Sequence, residues 1–251
     1  MTRDLNGKVA LVTGASRGLG AAIARRLATC GAKVAINCFG SPQLAEREKE
    51  NIRRAGGTAD IFRADVRDET EVTAMVNQVQ RRFGLIDILV INATGPQPML
   101  PIEKMTWQTC LDQLEFFVKS PLLLVKAVVG QMKQRRYGRI IQIGSEVFEK
   151  GVPVFSSYVS AKAAQLGLTR SWAMELAPWQ ITVNLIAPGW IPTERHANEP
   201  QEHKDAYAAG VPLQRMGVPD DVAEAVAFLA SEGANFITGQ KLAVNGGHSL
   251  E

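Results

Sequence analysis

The segment Thr13-Gly14-Ala15-Ser16-Arg17-Gly18-Leu19-Gly20 constrains the fold more than any other part of the chain. It joins a short apolar run, 8–13, to an Ala/Leu-rich stretch of helical spacing, 18–30. Its glycines follow G-x-x-x-G-x-G. A turn this tight needs positions without Cβ if the backbone is to approach a phosphate. The helix that follows offers free N–H groups and the positive end of a dipole. Glycine-rich connectors that bind nothing also exist; the strand before and the helix after favour a phosphate cradle.

The same alternation continues along the chain. Strand-like runs fall at 33–37, 58–64, 86–91, 139–143, 181–186 and 241–244. Helical stretches fall at 44–55, 69–82, 103–134, 157–176 and 220–230, with Pro219 as a start signal for the last. The strands are continuously apolar, as parallel strands covered on both faces should be. The expectation is therefore an α/β fold: a single Rossmann-type, doubly wound parallel sheet of about seven strands with helices on both faces. No linker or repeat divides residues 1–251, and 46% apolar residues suffice for one sizeable core. Residues 192–216 are polar and read as a mobile insertion.

Charge narrows the function classes. The balance is 28 basic to 25 acidic residues. That is too mild for nucleic-acid or membrane binding by electrostatics, and no apolar run is long enough to span a bilayer. The opening residues do not form a signal-peptide pattern, so a cytoplasmic location is expected. Leu250-Glu251 is set aside as a possible tag remnant. Cys30, Cys38 and Cys110 are expected as reduced thiols. The histidines have no metal-ligand spacing, so no metal is expected.

The second strand ends Asn37-Cys38-Phe39, without the acidic residue that would hold an adenosine 2′-hydroxyl and repel a 2′-phosphate. Arg17 supplies a cation there, and Ser41 a hydroxyl. These residues favour NADP(H), with NAD(H) as the alternative. Ser145 follows the strand at 139–143. Tyr158 and Lys162 lie one helical turn apart and share a face. An ammonium beside a tyrosine favours the phenolate and lowers a pKa otherwise near ~10. Tyrosine–lysine pairs at this spacing are also common on helix surfaces.

Taken together, these motifs resemble the short-chain dehydrogenase/reductase family over nearly the whole chain, and most closely its β-ketoacyl-acyl carrier protein reductase-like members. The glycine turn matches the family's TGxxxGxG. Tyr158 and Lys162 match its YxxxK, with Ser145 thirteen residues upstream. Asp65-Val66 resembles the pair that contacts adenine. Pro188-Gly189, Ile191 and Thr193 resemble the segment that holds the nicotinamide carboxamide.

The resemblance implies a ketone or 3-oxoacyl reductase, or the reverse reaction, with hydride passed from the B face of the nicotinamide. Tyr158 would be the acid or base, Lys162 would lower its pKa and bind the nicotinamide ribose, and Ser145 would orient the carbonyl. Thr13, Gly14, Ser16, Arg17, Gly18, Leu19, Gly20, Cys38, Asn92 and Ala93 would join the cofactor site. The resemblance also implies a homotetramer, a small carbonyl or alcohol substrate, an acyl carrier protein as a partner, and a substrate lid at 192–216.

Two departures stand out. The family's N-N-A-G reads Ile91-Asn92-Ala93-Thr94 here, with Gly95 next. Its catalytic Asn position falls on Phe117, and no Asn lies between Asn92 and Asn184. Gln113, one turn earlier, is the only nearby amide. The second departure motivates an alternative, an accessory or regulatory cofactor-binding protein with little turnover. Phe117, Phe148, Val154, Phe155 and Trp190 are the expected walls of an apolar substrate pocket.

Overall fold

A computed structural model describes residues 4–250, so Glu251 lies outside the described residues. The chain forms β1 (Val9–Val12), α1 (Gly18–Thr29), β2 (Lys33–Cys38), α2 (Pro42–Arg54), β3 (Thr58–Arg63), α3 (Glu69–Phe83) and β4 (Ile88–Ile91). There follow α4 (Trp107–Leu114), α5 (Ser120–Arg135), β5 (Gly138–Ile143), α6 (Val147–Lys150), α7 (Ser156–Leu176), β6 (Ile181–Pro188), α8 (Gln201–Gly210), α9 (Pro219–Ala230) and β7 (Lys241–Val244).

The strands build one parallel sheet in the order β3-β2-β1-β4-β5-β6-β7. Direction of winding reverses between β1 and β4, and the crevice outside the strand ends at such a switch point is where open α/β sheets bind ligands. One face packs on α1, α2 and α9 through Ile23, Leu27, Ile52, Val222 and Val226. The other packs on α3, α5 and α7 through Met75, Val79, Leu124, Met132 and Leu176. Strands enclosed on both sides need apolar residues at every position, which is why their periodicity vanishes.

The stretch read as one helix over 103–134 is broken. Helix begins at Trp107, capped by Thr106 Oγ1 accepting from Thr109 N–H at 3.2 Å. A π-turn over Glu115–Lys119 then separates α4 from α5. The signal overlooked was Pro121, which has no N–H to continue a helix through 115–119 and stands in the first turn of α5. The polar 192–216 segment is also more ordered than expected, since it contains α8.

Candidate active site

The glycine turn is held open by its neighbours. Asn92 Nδ2 donates to Thr13 O at 2.9 Å and Gly14 O at 3.2 Å. Thr13 Oγ1 accepts from the N–H groups of Asn92 and Ala93. On the other side, Asn37 Oδ1 accepts from Gly14 N–H at 3.1 Å, while its Nδ2 donates to Phe62 O and Ala64 O. Asn37 thus ties the turn to β2 and β3; its place in an otherwise apolar strand was the signal for this role. Gly14 has φ +62°, and a Cβ on Gly20 would sit 2.3 Å from Gly14 O. The turn therefore requires glycine at both places.

Around this cradle the predicted contacts divide. Arg17 is exposed at the N-cap of α1, Ser16 is buried beneath it, and Gly18 lies against Thr193. Leu19 packs on the core. Cys38 is turned into the core instead, and burial pushes its thiol pKa up. It is the last residue of β2, covered on both faces. Val66 is likewise buried in the opposite core. Asp65 is claimed by Arg67, whose Nε and Nη2 reach its two oxygens at 3.0 and 2.7 Å; this hydrogen-bonded ion pair holds the carboxyl below its usual range. Sequence reading missed Arg63, which extends from the end of β3 and donates to Phe39 O at 3.3 Å. It is a cation beside the end of β2, whereas Arg17 stands beside Pro192, Thr193 and Glu194 of the segment after β6.

Beyond β5, Ser145 and Tyr158 meet. Ser145 and Gln97, a residue of the loop after β4, both lie near the Tyr158 hydroxyl and favour its phenolate. Tyr158 is buried, with Phe155 stacked on one side at 4.7 Å and Phe117 edge-on at 5.3 Å. Burial pushes its pKa up to about 12, against a smaller lowering by Ser145, the positive charge of Arg195 and Gln97.

Lys162 does not lower it here. Its ammonium donates to Ile143 O at 2.7 Å and Gln165 Oε1 at 3.2 Å, and stands 3.9 Å from the Phe117 ring centre. Burial holds the pKa of Lys162 well below the usual lysine value. Phe117 is therefore buried against both Tyr158 and Lys162, whose ammonium also stands 5.6 Å from the Tyr158 ring centre. Gln113 donates from Nε2 to Pro96 O at 2.9 Å, and its Oε1 is buried without a hydrogen-bond partner among the described residues.

The remaining predicted wall residues scatter. Phe155 joins the Tyr158 cluster. Val154 has φ +57° and is exposed, with its carbonyl accepting from Leu100 N–H. Phe148 lies outside that cluster, under the Lys241 ammonium. Trp190 packs edge-on against Tyr207 and His196. The segment after β6 crosses over the glycine turn: Thr193 lies beside Gly18, and Pro188 pairs with Val244 of β7. Ile191 is buried beneath that segment, and Gly189 N–H donates to Val244 O. Arg195 reaches back across the cleft to Gly95 O at 2.8 Å.

A family model described as enoyl-(acyl carrier protein) reductase matches residues 14–249. The 3-oxoacyl-[acyl-carrier-protein] reductase of Staphylococcus aureus is 40% identical over 242 residues, covering 96% of this chain and 97% of that protein. A crystal structure of a dehydrogenase/reductase from Sinorhizobium meliloti superposes with a TM-score of 0.91 at 35% identity, over 99% of this chain and 98% of that one. A 3-oxoacyl (acyl-carrier-protein) reductase from Agrobacterium tumefaciens, solved with NADP bound, gives a TM-score of 0.91 at 32% identity over 98% and 96%.

Proposed function

Because the chain belongs to the short-chain dehydrogenase/reductase family, and is thus an NAD(P)-dependent oxidoreductase of the CH–OH/C=O couple, we propose that it reduces a 3-oxoacyl or similar ketone with NADPH. The observation that carries this reading is the nearness of Ser145, which follows β5, to the buried Tyr158 hydroxyl, whose phenolate it favours. Two hydroxyl groups aimed at one point suit a single carbonyl oxygen, which becomes an alkoxide and then an alcohol.

The cradle fits a dinucleotide. Gly14 and Gly20 leave room that a Cβ would take, and α1 presents its N-terminus there. Thr13 and Asn92 keep the turn open; Arg17 and Arg63 would receive a 2′-phosphate. NAD(H) is the alternative if those cations serve only the surface. When bound, the dihydronicotinamide supplies a hydride to the carbonyl carbon. This chain's residues do the rest: Ser145 Oγ donates to the carbonyl oxygen, and Tyr158 Oη passes its proton to the forming alkoxide. With a pKa near 12 the tyrosine holds that proton throughout the neutral range, as an acid in the reductive direction must. Lys162, anchored to Ile143 O, supports the same edge of the site.

Residues 192–216 act as the lid over this cleft, since Thr193 covers Gly18 and Arg195 bridges to Gly95. An acyl carrier protein, to which the relatives' names point, is the proposed partner, and a homotetramer the proposed assembly. The accessory-protein reading keeps one observation, the Phe117 ring packed against both Tyr158 and Lys162. Tyr158→Phe separates the two. A reductase loses at least about a hundredfold in kcat while NADPH still binds; turnover near wild type refutes Tyr158 as the acid.

A further inference from the structure

Glu146, directly after Ser145, is buried, and its carboxylate is hydrogen-bonded by three residues from two segments, α8 and the C-terminal turn. Oε1 accepts from Tyr207 Oη on α8 at 2.8 Å and from His248 Nδ1 at 2.8 Å. Oε2 accepts from Asn245 Nδ2 at 2.9 Å. Its own N–H donates to Pro188 O at 3.1 Å. Tyr207 Oη in turn accepts from Trp190 N–H at 2.8 Å, and a Cβ on Gly189 would come within 2.6 Å of that oxygen. His248 Nε2 lies 2.6 Å from Lys150 Nζ. Lys150 Nζ is also 3.1 Å from His248 Nδ1.

A carboxylate taken out of water is costly unless its lone pairs are filled, so this set of donors explains how it is tolerated. It also has a consequence for α8, which buries none of its ten residues. A helix without an apolar anchor is held by its few specific contacts. Tyr207 supplies them: the hydroxyl bonds to Glu146 and Trp190, and ring contacts to Trp190 at 5.4 Å and His248 at 4.5 Å.

We propose that Glu146 and Tyr207 are positioning residues that lock the lid helix α8 and the C-terminal turn onto the Pro188–Trp190 segment and the Ser145 loop. This rests on the reading of 192–216 as the lid. The lock sets how well the acyl substrate is enclosed, without touching the proton that Tyr158 transfers.

The test is Tyr207→Phe, which keeps the ring and removes only the hydroxyl. Limited trypsin digestion after Lys204 should accelerate roughly tenfold with saturating NADPH present, the scale of one lost hydrogen bond to a charged acceptor. The KM for a 3-oxoacyl thioester should rise roughly tenfold, with kcat within about threefold and its pH profile unmoved. His248→Ala, which removes one peripheral donor, should give a smaller effect of the same kind and serves if Tyr207→Phe does not fold. Cleavage and KM within about twofold of wild type in both variants overturn the proposal, as does a shifted kcat pH profile. Proteolysis needs no turnover: accelerated cleavage in a protein without reductase activity keeps the lock and refutes the reductase reading instead.

Discussion

Replacing Phe117 with leucine isolates what the aromatic ring does at the place where the family carries an amide. The ring is 3% exposed, edge-on to Tyr158 at 5.3 Å and 3.9 Å below the Lys162 ammonium. An edge-to-face pair contributes about 1 kcal/mol beyond its buried area. A desolvated cation–π contact contributes about 2 kcal/mol. The smaller side chain leaves part of the site empty, which adds roughly 1 kcal/mol. Phe117→Leu should therefore destabilise the chain by about 4 kcal/mol. At roughly 2–4 °C per kcal/mol for a domain of this size, Tm falls by about 8–16 °C. The lysine also loses the nearer of its two ring partners, the Tyr158 ring being 5.6 Å away, so its charged form becomes still less favourable. Thermal unfolding of the cofactor-free protein measures the first effect. A Tm within 2 °C of wild type would show that the ring supports neither neighbour, and the packing argument would fail.

Other outcomes follow from the same geometry. Gly20→Ala places a methyl 2.3 Å from Gly14 O, so NADPH binding should weaken at least about tenfold as the turn shifts, whereas Gly40→Ala, with open space around it, should bind normally; equal titration curves for the two would contradict the cradle. Arg17→Ala and Arg63→Ala should each weaken NADPH by about 10- to 100-fold and leave NADH nearly unchanged, the size of a charge-assisted contact to a 2′-phosphate. A parallel loss for both nucleotides would place these arginines elsewhere. For alcohol oxidation Tyr158 must be deprotonated, and with a pKa near 12 that fraction rises about tenfold per pH unit. Oxidative kcat/KM should thus climb between pH 7 and 9 while reductive kcat/KM stays flat; a reductive rate that falls in that window would mean the acid titrates there.

Much of this architecture was legible in the residues. Apolar runs of strand length between amphipathic stretches marked the strands, and the glycine turn marked the switch-point crevice. What escaped was set by tertiary contacts. Cys38 and Val66 stand where a ligand contact was expected, but strands and turns enclosed on both faces send such side chains into the core. The break at Glu115–Lys119 precedes Pro121, whose helix-breaking character was overlooked within the apolar run that follows it. Gln97, Arg63 and Glu146 gave no local motif; each matters through a neighbour 24 or more positions away in the chain, as with Arg63 and Phe39. Lys162 shows the limit of spacing arguments. Its turn of helix places it beside Tyr158, yet its ammonium is directed to Ile143 O and Gln165.

The most direct test of the account is titration of the purified protein with NADPH and with NADH, followed in the same cuvette by 3-oxoacyl thioesters and simple ketones while nicotinamide absorbance is read. The account predicts tighter binding of NADPH and consumption of it on addition of a 3-oxoacyl substrate. Tight binding with no consumption across the set would contradict it and favour a cofactor-binding protein with little turnover, and a preference for NADH would contradict the roles given to Arg17 and Arg63.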